Sequence, residues 1–227
     1  LALDDYNDNE DIIYTSTMPD IAGNDNMIED TIDFYVNKVD LGLPSRTLWC
    51  KYNVGVNMHE LNDAEDWGGN YYAWGEIYPK RSYGFFNYEY SKYNENQTED
   101  DLDVLTKYCS DFNFSHDMTT DNLVELERSD MPIKLKLRKG DNINKYSMPT
   151  YDQYNELIKY TTSKYVKNYN GIIGLNGKLF TSKINKKSIF FPAVGYMNDN
   201  ELHYDAMQGG YWTSTVVKGM DVCAWTF

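Results

Sequence analysis

The span from Val39 to Glu76 constrains the fold more than any other part of the chain. It places Trp49, Trp67 and Trp74, three of the five tryptophans, among Gly42, Gly55, Gly68, Gly69 and Gly75. Large rings need burial, and glycines let the backbone turn between buried segments. Trp49 and Trp74 are therefore expected in the core, with Gly55 and Gly75 at turns. The span holds no catalytic constellation, so it reads as scaffold.

The chain has 227 residues, enough for one large domain or a domain with an arm. Hydrophobic residues make up 41% and charged residues 25%, which favours a folded core over disorder. There are 21 tyrosines, and tyrosine combines contact area with a hydroxyl on few rotatable bonds. They suit either a recognition surface or a loop-rich core padded by rings. The formal net charge is −14. Residues 1–66 hold 15 Asp and Glu against 3 Lys and Arg, and the remainder 20 against 18. That acidic front argues against a nucleic-acid partner and is compatible with a basic protein, with cations or with solubility alone.

Cys50, Cys109 and Cys223 form no C-x-x-C pair and lie in no His/Cys cluster, so zinc is not expected. Three reduced, mostly buried thiols are the favoured reading, with one long-range disulfide still open. No apolar run reaches membrane-spanning length, and no signal peptide is visible, so direct membrane insertion is not expected. The chain begins at Leu1 and stops at Phe227 inside an expected strand, so it is expected to be cut from something longer.

Residues 1–38 read as an acidic arm or linker, with a docking strand at Thr31–Val36. Asp5, Asn7 and Asn9 imitate an EF-hand loop. Glu10 stands where that loop needs Gly, and Ser16 where it needs its last Glu, so the site is rejected. Further on, the pattern predicts a strand from Leu48 to Val56, a short helix over Leu61–Trp67 and a strand or turn over Tyr71–Trp74. Pro79–Asn96 reads as a long loop with anchoring aromatics, and only Lys80, Arg81 and Lys92 lie near its rings. That is too little charge for a base-stacking track. Asp100–Cys109 is expected to be a short helix and Ile133–Lys139 a half-exposed strand.

The clearest helix starts after Thr150, which with Gln153 makes a capping box. Its inner face is expected at Tyr154, Leu157, Ile158 and Thr161. Asn176-Gly177 predicts a tight hairpin between Ile172–Leu175 and Lys178–Ser182. Ser188–Ala193 reads as a buried strand that Pro192 ends or confines to an edge. Tyr196–Gln208 reads as a polar loop. Gly209–Thr215 and Val222–Phe227 are expected to pair.

Chemistry is hard to find. His59, His116 and His203 are isolated, and no nucleophile elbow, phosphate loop or dinucleotide fingerprint occurs. Glu76 and Glu201 are the carboxylates flanked by aromatics, and a glycosidase would need such a pair across one sugar site. The reading is non-enzymatic, with no cofactor and no metal.

In order along the chain come Val39-Asp40-Leu41-Gly42-Leu43-Pro44-Ser45, Thr47-Leu48-Trp49, Asn53-Val54-Gly55 and Tyr71-Tyr72-Ala73-Trp74-Gly75-Glu76. Leu105–Cys109, Met148-Pro149-Thr150, Ser188–Tyr196 and Gly210–Thr215 follow. Together, across residues 39–226, these blocks resemble the Fibrobacter major paralogous domain. The resemblance implies an α+β, C-type-lectin-like domain over 39–227: twisted antiparallel hairpins, about two helices and long loops, with a further strand after Phe227. It also implies a setting on surface proteins of gut anaerobes or virion proteins of their phages. Segment 112–145 is longer and more basic than the family pattern. The paired cysteines of formylglycine-generating enzymes and the calcium motifs of animal lectins have no counterpart.

By position, the resemblance puts ligand-binding candidates at Asn198, Asn200, Glu201, His203, Tyr204, Trp212 and Trp225, although Trp212 sits in a family motif that suits core packing. The expected function is a non-catalytic adhesion module that recognises a host-surface or partner protein or glycan, in a virion or at a cell surface. A purely structural, oligomer-forming part of a virion or surface assembly, anchored by the acidic arm, is the alternative. A carbohydrate-active enzyme is the third reading.

Overall fold

A computed structural model describes residues 38–91, 105–111, 115, 117, 119–132, 146–217 and 224–227, together with the backbone of three two-residue strands nearer the N-terminus. Phe85 is described by its backbone alone. Among these residues the architecture is mostly antiparallel β hairpins with one short α-helix. The expected helices at Leu61–Trp67 and Asp100–Cys109 are corrected. The first shrinks to a single 3-10 turn, Glu65–Trp67. In the second, the described part holds Leu105 in isolated bridges to Ser91 and Ser115 rather than in a helix. Thr31–Val36, Ile133–Lys139 and His116 lie outside the described residues.

The first sheet has the order β4-β5-β1-β6, from β1 (Ala2–Leu3), β4 (Lys38–Asp40), β5 (Leu48–Cys50) and β6 (Tyr146–Ser147). Ala2 opposes both Trp49 and Ser147, so the start of the acidic segment lies inside this sheet. Two further short strands, β2 (Ser16–Thr17) and β3 (Glu29–Asp30), pair with each other. The expected strand Leu48–Val56 stops at Cys50 because the chain then turns, and Gly55 adopts a φ of 95°.

Helix α1 spans Tyr151–Tyr160. Its capping box is formed: Thr150 accepts from the Gln153 backbone N–H at 3.2 Å, and the Gln153 amide oxygen accepts from the Thr150 N–H at 2.9 Å. Two of the four orphan N-terminal donors are thereby satisfied. Tyr154, Leu157 and Thr161 are buried as expected, whereas Ile158 is 48% exposed, one position off the buried stripe.

The chain leaves α1 directly into β7 (Thr161–Val166), which pairs with β8 (Gly177–Ser182); β8 also pairs with β9 (Ser188–Pro192). The expected hairpin at Asn176-Gly177 is therefore wrong in its partner. Residues 172–175 form a turn, with the Leu175 N–H donating to the Ile172 oxygen, and β7 takes the place beside β8. Gly177 is needed for closeness rather than for a turn: a Cβ there would lie 2.2 Å from the Phe191 oxygen and 2.7 Å from the Phe190 ring. β9 is an edge strand that ends at Pro192, as the missing N–H requires. Its unbroken apolar run has a simple cause. Ile189 and Phe191 face α1 and Trp49, while Phe190 faces Trp67 and Leu175, so the strand is buried on both sides.

Among the described residues three clusters make up the core. The largest rings meet around Trp49, which lies 5.4 Å from Tyr154 and 5.8 Å from Phe191. The second joins Trp67, Leu175 and Phe190, with Tyr169 stacked on Phe190 at 3.9 Å. The third holds Cys50, Tyr90, Tyr108, Leu126, Met131 and Met148. Cys50 and Cys109 are buried and unbridged, and burial pushes the Cys50 thiol up from its ordinary value. Cys223 lies outside the described residues.

Residues 196–208, expected as a polar loop, form a hairpin. β10 (Val194–Asn198) pairs with β11 (Glu201–Asp205) in the register Tyr196–His203 and Asn198–Glu201. The expected C-terminal pairing is present: β12 (Gly210–Trp212) opposes β13 (Ala224–Thr226).

Candidate functional site

A cleft of about 710 Å³ opens between the third core cluster on one side and β10 and β12 on the other. Its walls include tyrosine and tryptophan rings from six stretches of chain: Tyr71, Tyr72 and Trp74; Tyr83 and Tyr88; Tyr108; Tyr154; Tyr196; and Tyr211 with Trp212. The volume falls within the usual range for small-molecule sites.

The rings are held by their polar ends. Tyr71 donates to the Val194 oxygen at 2.6 Å, and Tyr83 to the Tyr71 oxygen at 2.6 Å. Tyr88 donates to the Trp74 oxygen at 2.9 Å and Tyr211 to the Pro192 oxygen at 2.7 Å. The Trp74 and Trp212 indoles donate to the Thr213 and Tyr72 oxygens, both at 2.7 Å. Each bond also gives a backbone carbonyl a donor, four of them on loops and two at strand ends. Loops without regular structure are thus fixed by side chains, which explains why Tyr71–Trp74 keeps its place without forming a strand. Burial raises the Tyr71 hydroxyl to about 12, with Asp205 and Tyr83 adding to the effect. Tyr72, Tyr83, Tyr108 and Tyr211 are also raised, in each case chiefly by burial. The walls therefore stay uncharged well above neutral pH.

An ion-paired group supports Tyr108 from behind. Asp130 accepts from Lys107 and from the Tyr108 hydroxyl, each at 2.6 Å, and Lys107 also reaches Glu127 at 2.6 Å. Burial alone would raise the Asp130 carboxyl, but the bonds from Lys107, Tyr108, Ser129 and Tyr90 outweigh it and hold the group below its ordinary 3.8. Ionised Asp130 thus contributes stability that is fully present above that value and is lost as pH falls through its lower folded-state pKa. Asp130→Asn is expected to cost about 1–3 kcal/mol at neutral pH, the range for a hydrogen bond to a charged group. In urea unfolding, the gap to the parent protein should close in acid below the ordinary carboxylate value; an equal gap at both pH values would refute the role.

The β10–β11 hairpin forms one rim. It is pinned by paired backbone bonds between Tyr83 and Asp199 at 2.9 and 2.8 Å, and by the Gly195 N–H donating to the Gln208 oxygen at 2.7 Å. Tyr196 stacks on His203 at 5.4 Å, and Tyr204 lies 5.8 Å from Tyr196. Tyr196, Leu202 and Tyr204 are all more than two-fifths exposed.

The sequence-predicted residues divide among three places. Asn198 and Trp212 line the cleft. Asn200, Glu201, His203 and Tyr204 lie at the tip and on the outer strand of the hairpin. Trp225 packs against the first core cluster, stacked on Tyr154 at 4.7 Å, because its register opposite Tyr211 turns both rings to the same side. Among the scaffold residues, Trp49 is fully buried, Trp74 is half-buried at the cleft wall, and Gly55 and Gly75 occupy turns with positive φ. Sequence reasoning missed Asn70, Tyr83, Met197 and Gln208 as lining residues. Nothing local marks them, since they meet only through long-range contacts.

Glu76 and Glu201 do not share a site. Glu76 is 2% exposed, accepts from Lys80 and from the Glu89 N–H, and closes a loop. The Glu201 side chain is 81% exposed, and neither residue lines the cleft. Among the described residues no group of three or more His, Cys, Asp or Glu could hold a metal ion, and no helix is long and apolar enough to cross a membrane.

No protein-family model matches the chain, and neither does a curated protein or a solved structure.

Proposed function

We propose that the chain is a non-catalytic binding module on a C-type-lectin-like scaffold of the Fibrobacter major paralogous type. It serves a phage virion or a bacterial surface protein, and its ligand is a host-surface or partner molecule, protein or glycan. The observation that carries this reading is the open aromatic cleft beside an exposed aromatic hairpin. Rings locked by hydrogen bonds lose little freedom on binding, which favours recognition. The alternative, a structural part anchored by its acidic arm, draws less support. Ala2–Leu3 pairs with β5 and β6 of its own domain, which ties the start of that arm inward.

The test is binding of fluorescently labelled protein to intact cells of gut anaerobes, set beside a Tyr196→Ala/Tyr204→Ala variant. Saturable binding is expected, weakened about tenfold in the variant with circular dichroism unchanged, as for loss of an aromatic anchor. A folded protein that binds no cells would overturn the reading in favour of the structural alternative.

A further inference from the structure

The lining of the cleft is selective in what it omits. Among the described lining residues there is no Asp, Glu, Lys, Arg or His, although charged residues make up 25% of the chain. A phosphate, sulfate, uronate or sialate entering it would lose its hydration and find no countercharge among the described lining residues. The raised tyrosines supply no charge either.

A purely apolar ligand fits no better. Asn198 and Gln208 line the cleft, and their side-chain amides make no hydrogen bond to another described residue. Each amide offers two donors and an acceptor, and an apolar ligand would cover them without pairing them. The ring hydroxyls and indole N–H groups are mostly committed to backbone carbonyls, so what the rings present to the cleft is flat, fixed apolar surface. The complementary ligand is uncharged, has a flat apolar face and carries hydroxyls around its edge.

We propose that the cleft binds an uncharged hexopyranose glycan, without a metal ion, the sugar ring lying on the Trp212 and Tyr72 wall and its hydroxyls meeting Asn198 and Gln208. This rests on the binding-module reading and names its ligand class. The pyranose C–H face covers an aromatic ring, and its hydroxyls replace water at the amides.

The test is a glycan array holding neutral hexose glycans beside sialylated, uronic-acid and sulfated ones, read with EDTA present, followed by titration calorimetry with the best neutral oligosaccharide. Binding confined to neutral glycans and unaffected by EDTA is expected. Asn198→Ala/Gln208→Ala, which removes no side-chain hydrogen bond to a described residue, should weaken it about tenfold with an unchanged melting temperature. Trp212→Phe, a milder change in a ring that also supports Tyr72, should weaken it less. Binding of acidic glycans alone, loss of binding in EDTA, or an unchanged affinity in the amide variant would overturn the proposal. Cell binding that persists while the array is blank would overturn the glycan assignment in favour of a protein ligand and leave the module reading standing. No binding to cells or glycans would overturn both.

Discussion

Trp49→Ala is expected to remove most of the stability of the fold. Trp49 is 0% exposed, sits on β5 opposite Ala2 and Val39, and contacts Tyr154 of α1 and Phe191 of β9. It therefore joins the first sheet, the helix and the three-stranded sheet. Truncating a buried tryptophan costs about 3–5 kcal/mol, because the cavity adds to the lost transfer energy. That is a large share of the roughly 5–15 kcal/mol that holds a typical domain together. Trp49→Phe should behave differently. The Trp49 indole N–H is buried with no hydrogen-bond partner among the described residues, so phenylalanine removes an unsatisfied donor as it opens a smaller cavity. Urea unfolding of both variants is the measurement. A loss below about 1 kcal/mol for Trp49→Ala would mean that the three elements do not meet at this ring.

Gly177→Ala is expected to cost about 3 kcal/mol, the upper range for overpacking. The added methyl would meet the Phe191 backbone oxygen at 2.2 Å, and backbone in a paired strand cannot step aside cheaply. It would also press on Phe190, which is stacked against Tyr169 and wedged beside Trp67. Gly171 is the control. Its φ is +79°, but nothing lies within 4 Å of a Cβ there, so Gly171→Ala should cost only the left-handed strain of about 1–2 kcal/mol. Urea midpoints should fall in that order, with unchanged slopes. If Gly171→Ala were the more damaging, the close β8–β9 approach would be wrong.

The two glycines show where local reading stops. Asn176-Gly177 carries the strongest short hairpin signal in the chain, yet its glycine is there for the Phe190 ring and the Phe191 carbonyl. Strand β7 was hidden for a related reason. Thr161 follows the helical stripe as its next buried position, and Thr162–Tyr165 is exposed, so no alternation marks a strand. Only the ladder to β8 makes it one. The β10–β11 hairpin escaped because most of its side chains, apolar Leu202 and Tyr204 included, are exposed, so no buried face marks it as strand; Tyr83, Gly209 and Gln208 hold it from outside.

The candidate site was legible in part. The C-terminal aromatic region was singled out, and Asn198 and Trp212 do line the cleft. Trp225, chosen on the same grounds, packs on Tyr154 instead, because strand register decides which side a ring faces and a one-residue step reverses it. Tyr71 and Tyr72 stood out as part of an aromatic cluster, but nothing in that cluster says that Tyr71 hydrogen-bonds to Val194, far along the chain.

By itself the sequence determined what depends on neighbours within a few residues. The Thr150–Gln153 box starts α1, Gly55 and Gly75 turn the chain, Pro192 ends β9, and Gly210–Trp212 is a strand with a partner near Thr226. These outcomes follow from φ preference, a missing N–H or a side chain in reach of its own backbone. The tertiary structure alone decided the partner of β8, the inward turn of Trp225 and the existence of the cleft. Each is a meeting of segments far apart in sequence, chosen by which rings fill which gaps and which carbonyls still need a donor. A cleft walled by rings from six stretches of chain has no local signature, because no single stretch contains it.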